Sequence, residues 1–204
     1  MTPQHLHATA NLWSLITVWP ALAQAAQNAS GASGEDRGTI QAWRPGSGVH
    51  SGRTGDQILD AVLRSSGSGS NPYADRLDRT ADTITWLAEK VVPPAAATAG
   101  QALREMLAGI ADVRPATALQ LAMHIGAEDR AVRKLLGERS DHVPLPGFNC
   151  PRCDTSGSLA IRASNPALLA RPVICTVAAC VHDGIPSIWT QDQLAAALDS
   201  RAAA

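Results

Sequence analysis

All four cysteines of this 204-residue chain fall in its last third, as Cys150, Cys153, Cys175 and Cys180. They form a C-x2-C knuckle and a C-x4-C knuckle. A short knuckle turns two thiolates toward one ion, and two knuckles complete a tetrahedron around a single Zn2+. Four thiolates leave no open position, so the ion is expected to be structural, and its binding becomes part of folding the segment. His182 stands two residues past Cys180 in the longer second knuckle. Cys3His ligation, with His182 replacing Cys180, therefore stays open as an alternative. Disulfides would conflict with a reducing compartment. A redox C-x-x-C needs a βαβ context, whereas Cys150 follows a Pro-Gly loop.

The elements around the cysteines are short and β-prone. Leu159–Arg162 and Pro172–Ile174 read as two strands of a hairpin, with a third strand expected over 185–189. This is the layout of a zinc ribbon. Thr190-Gln-Asp-Gln193 is a capping box that opens a terminal helix, with Leu194, Ala197 and Leu198 inward.

The preceding residues differ in character. The chain is 45% hydrophobic, yet it holds one Phe, one Tyr and five Trp, so alanine dominates and helices are expected. The fold expectation is mainly α: an Ala-rich helical bundle over 1–141, then a ribbon domain with its terminal helix over 142–204. Residues 4–28 read as one helix kinked at Pro20 or as two short ones. A Gly/Ser-rich loop is expected over 29–53, and a helix opened by Thr54 runs to about Ser65. Pro72 starts the next helix, capped by Ser70 or Asn71, with Trp86 on its core side. A helix over 96–111 follows, then two short ones over 115–124 and 127–136. His5 and His7 read as exposed residues of a frayed end.

Ala118–Leu136 resembles the helix-turn-helix of DNA-binding regulators, placed within 116–137. Ala122 is its small first-helix residue, and Gly126 takes the positive-φ turn. Leu121, Ile125, Val132 and Leu135 lock the pair. Arg130, Arg133 and Lys134 would face phosphates or guanine edges. The bland alternative is a helical hairpin that packs in the bundle. From Arg130 to Arg171, seven basic residues stand against three acidic ones, a charge of +4. A tetrathiolate zinc lowers this to about +2, a mild bias. Arg152 and Arg162 complete the set of expected nucleic-acid contacts.

The net charge of -1 excludes a uniformly basic binder. Leu12–Ala23 is apolar but too short to span a bilayer, which takes about 20 residues. No Lys or Arg precedes Arg37, so a signal peptide is not expected and the location is expected to be cytoplasmic. No Ser-His-Asp order, Gly-Lys-Ser phosphate motif or carboxylate pair in a plausible pocket emerges, so neither an enzyme nor a small-molecule substrate is expected.

The run His142-Val-Pro-Leu-Pro-Gly, then Cys150-Pro-Arg-Cys153, Ser158–Arg162 and Pro172–Cys175, resembles uncharacterised small zinc-ribbon proteins of actinobacteria and their phages. The resemblance covers about 60 residues, departs at the long second knuckle, and implies no activity. The combined expectation is a zinc-ribbon protein that binds nucleic acid, DNA first, in a regulatory role. The alternative is a protein-interaction or assembly module whose ribbon is only a staple.

Overall fold

The structure is a computed structural model, and it describes residues 1–31, 71–91, 98–166, 171–182 and 184–202. The helix expected over 54–65 and most of the 29–53 loop lie outside them. The fold is mainly α with a small C-terminal β region. The described helices are α1 (Pro3–Gly31), α2 (Pro72–Ala88), α3 (Ala99–Gly109), α4 (Pro115–Leu136) and α5 (Gln191–Ala202), with a 3-10 turn at Ile110–Asp112. The strands are β1 (His142–Pro144), β2 (Leu159–Arg162), β3 (Val173–Cys175), β4 (Val181–His182), β5 (Ile185–Pro186) and β6 (Ile188–Trp189). None of the described helices is long and apolar enough to cross a membrane.

The chain divides into two compact units, residues 1–20 with 80–204, and residues 21–79. In the second, Asn71 caps α2: its Oδ1 accepts from the Tyr73 and Ala74 amides. Its Nδ2 donates to the Ala26 carbonyl at 2.7 Å. Pro72 then takes the first helical position, where its missing N–H costs nothing.

The first unit holds the helices and the ribbon together. α1 is continuous through Pro20, and the unit boundary falls directly after that proline. Along its first turns His5, Leu6, His7 and Ala8 are all buried, so this helix is covered on every side. The expectation of a frayed, exposed terminus is therefore corrected. His5 Nε2 donates to the Val113 carbonyl at 2.8 Å, and His7 Nε2 donates to the Pro186 carbonyl at 2.7 Å. A buried imidazole needs such partners, because an unpaired polar group there costs about 1–3 kcal/mol.

Sheet order is β1-β2-β3-β6, antiparallel throughout, with β4 and β5 as a separate hairpin. The register pairs Ala160 with Ile174 and Ile174 with Ile188. These three pack with Leu6 of α1. Their neighbours Leu159, Val173 and Cys175 point to the opposite face and pack with Leu194 of α5. The period-two alternation thus gives the ribbon two buried faces, one on α1 and one on the cysteines and α5. The expected single strand over 185–189 is interrupted at Ser187, between β5 and β6.

α4 overturns the helix-turn-helix. It runs unbroken from Pro115 to Leu136, and Gly126 lies mid-helix and buried. The glycine does not serve a turn. A Cβ at Gly126 would come within 2.6 Å of Asn11 Nδ2, so its bare backbone admits the α1 side chain that donates to the Ala122 carbonyl at 2.7 Å. The glycine that takes positive φ at this helix is Gly137, at φ 68, which ends α4 in a left-handed cap. Trp86 is also corrected: it is exposed rather than in the core. Its ring meets the His124 edge at 5.2 Å and lies under Lys90 Nζ at 4.6 Å.

Candidate metal centre

The first knuckle is built by a tight turn. The Asp154 amide donates to the Cys150 carbonyl at 2.9 Å, and the Cys150 amide donates to the Thr155 carbonyl at 3.2 Å. Asp154 sits at φ 59, a left-handed conformation that Asp tolerates better than most residues. The turn aims the Arg152 amide at Cys150 Sγ, 3.4 Å away. From the terminal helix, Arg201 donates to the Cys150 carbonyl and pairs with Asp154 at 3.1 Å. That pair is exposed, so water and salt screen it and it adds little to the knuckle's stability. The second knuckle leaves β3 at Cys175 and returns at Cys180, whose amide donates to the Val177 carbonyl. Cys175 N donates to the Ser187 carbonyl and Ser187 N donates to the Cys180 carbonyl, both at 2.9 Å, so one residue locks both ends.

The four Sγ atoms come together, all within 4.8 Å of one another. Cys150 lies 3.7 Å from Cys180, and Cys153 lies 3.8 Å from Cys175. These are opposite edges of one tetrahedron. With metal–sulfur bonds of about 2.3 Å, a zinc tetrathiolate has edges of about 3.8 Å. The donor set and its dimensions therefore fit one Zn2+. Cys180, not His182, completes the group.

Hydroxyls stand beside three of the four sulfurs. Thr155 Oγ1 lies 3.4 Å from Cys153, Ser187 Oγ 3.4 Å from Cys180, and Ser158 Oγ 3.6 Å from Cys175. Burial pushes the Cys150 thiol up to about 12 and raises Cys180 as well. The Thr155 hydroxyl draws Cys153 down to about 6. The Cys150 and Cys180 thiols hold their protons until a cation displaces them, so metal binding releases protons.

The five basic residues expected at nucleic acid are not all on the surface. Arg130, Lys134 and Arg152 are exposed. Arg133 and Arg162 are buried and bonded internally, with Arg162 keeping only Nη2 open among the described residues, which corrects their assignment as surface contacts. Arg133 Nε pairs with Asp129 at 3.1 Å, its Nη1 with Glu138 at 3.1 Å, and its Nη2 donates to Ser14 Oγ at 3.0 Å. Ser14 Oγ in turn donates to Asp129 at 2.8 Å. Burial raises the Asp129 carboxyl, against the Ser14 hydrogen bond and the Arg133 charge. Arg162 follows Ala160 by two residues on β2, so strand alternation turns it toward α1. There its Nε donates to both Asp141 oxygens at 2.8 and 3.0 Å, and its Nη1 to Asn11 at 2.9 Å. Asn11, Ser14 and Asp141 are the residues sequence reading missed. Only the i,i+4 spacing of Asp129 and Arg133 was available as a signal. No protein-family model, curated protein or solved structure matches this chain.

Proposed function

We propose that the protein is a zinc-ribbon module that acts by binding rather than catalysis, with one structural Zn2+ on Cys150, Cys153, Cys175 and Cys180. The carrying observation is the sulfur tetrahedron with opposite edges of 3.7 and 3.8 Å. Bound there, the ion crosslinks two knuckles that hydrogen bonds alone hold weakly, and it offers no open position to a substrate. Reduced thiols suit a cytoplasmic setting. The same reading sets the chain beside the actinobacterial and phage zinc-ribbon proteins that its knuckles resemble. Native protein should carry one zinc per chain, and Cys175→Ser should lose it together with the ribbon's amide-exchange protection. Full zinc retention in that variant refutes the assignment.

The proposed partner is nucleic acid, met through the exposed Arg130, Lys134 and Arg152. The exposed ribbon side chains Val143, Phe148 and Val181 favour a second reading, a protein partner. Fluorescence anisotropy with duplex and single-stranded DNA across a salt series separates the two. Affinity falling with salt, with a slope reduced by about 1 in Lys134→Ala, supports phosphate contacts. Absence of binding at low salt leaves the protein reading.

A further inference from the structure

Between α1, α4 and the first two strands lies an open groove. One part, of about 540 Å³, is lined by Arg130, Lys134, His142 and Arg162. A second part, of about 530 Å³, shares Arg130, His142 and Arg162 and continues over Met123, Ile174 and Ile185. Each volume lies within the range of small-ligand sites, which pair an apolar body with a few convergent polar groups.

The polar end carries a net positive charge, with Arg130, Arg133, Lys134 and Arg162 lining it against Asp129 and Glu138. Arg130 and Lys134 stand four residues apart on α4, a like-charge spacing that disfavours the helix. Neither makes an ion pair or hydrogen bond among the described residues. The two carboxylates that line the groove, Asp129 and Glu138, are already held by Arg133. Arg162 is only 6% exposed and lines the groove. Its Nε and Nη1 are taken by Asp141 and Asn11, while Nη2 makes no hydrogen bond among the described residues. A buried guanidinium with an open donor beside two unpaired surface cations is the constellation that recognises an oxyanion. Burial, and then the Arg162 charge, hold both His7 and His142 below the ordinary imidazole range, so these rings stay neutral hydrogen-bonding groups at neutral pH.

We infer that this groove binds a small phosphate ester, its phosphate on Arg130, Lys134 and Arg162 and its organic body over Met123, Ile174 and Ile185. The ligand is a monomer rather than a nucleic-acid chain, and its binding needs Arg162, which a surface phosphate contact does not reach.

Isothermal titration of the zinc-loaded full chain with AMP, adenosine and inorganic phosphate tests this. AMP is expected to bind at least tenfold more tightly than phosphate, with adenosine weaker than either. Lys134→Ala and Arg130→Ala, both at exposed positions, should each weaken AMP at least tenfold. Arg152→Ala, outside the groove, should leave it unchanged. Absence of AMP binding at millimolar concentration overturns the inference, as does adenosine or phosphate matching AMP, or AMP binding indifferent to Lys134 and Arg130. DNA that binds while AMP does not sinks this inference and leaves the nucleic-acid reading standing. AMP that binds while DNA does not has the reverse meaning.

Discussion

Replacing Arg162 by Ala separates an internal role from a surface one. Its side chain and that of Asp141 are 7% and 6% exposed, and they meet at 2.8 Å. Removing the guanidinium strands a buried carboxylate that keeps, among the described residues, the Ser164 hydroxyl at 2.8 Å as its one close side-chain donor. Breaking a buried pair from one side costs about 3–5 kcal/mol. The loss also frees Asn11 Oδ1 from its 2.9 Å bond to Arg162 Nη1. At about 2–4 °C per kcal/mol for a chain this long, the melting temperature should fall by about 6–20 °C. Urea unfolding of zinc-loaded protein measures this directly, with Arg130→Ala as a surface control that should stay within about 0.5 kcal/mol. Asp141→Asn and the double variant complete a cycle, whose coupling energy should exceed about 1 kcal/mol. NMR titration adds a second readout, because the Arg162 charge helps depress His7 and His142. Both imidazoles should move upward in Arg162→Ala. A loss under about 1 kcal/mol with unmoved histidines would refute the internal pair.

Two further outcomes follow from the packing of α1. Gly126→Ala would improve helix propensity by about 1 kcal/mol in isolation, yet its Cβ would meet Asn11 Nδ2 at 2.6 Å. Net destabilisation of about 1–3 kcal/mol in urea is expected, and a stabilised variant would show that the close approach does not matter. Acidification should loosen the α1–ribbon contact through His7. Burial lowers its folded pKa beneath the ordinary 6.5, so the stabilisation is present above that value and is lost as pH falls through the folded one. Unfolding midpoints across the range from about pH 7.5 to 5 should drop more steeply for the native chain than for His7→Gln. Equal slopes would remove His7 from the acid response.

What was legible in the sequence was local. The cysteine knuckles and the Thr190–Gln193 box are read within a few residues, and the box forms as expected: Gln193 N donates to Thr190 Oγ1, and Thr190 N donates to Gln193 Oε1. The misread positions depend on contacts far along the chain. Ser14 and Asp129 lie 115 residues apart, and Asn11 and Arg162 lie 151 apart. No spacing rule announces such pairs, so Arg133 and Arg162 looked like surface cations. Gly126 misled for a different reason. Freedom at positive φ and the absence of a Cβ are two properties of the same residue, and sequence does not say which one is used. His5 and His7 looked exposed because terminal position carries more weight in sequence than burial that a distant sheet supplies.

The central claim is the tetrathiolate site, and cobalt substitution tests it most directly. Co2+ added to metal-free protein should give one equivalent of tetrahedral, thiolate-rich absorption, displaced stoichiometrically by Zn2+. Cys180→Ser should alter that spectrum, while His182→Ala should leave it unchanged. A spectrum of octahedral, oxygen-rich coordination, or one that survives Cys180→Ser and vanishes in His182→Ala, would contradict the account.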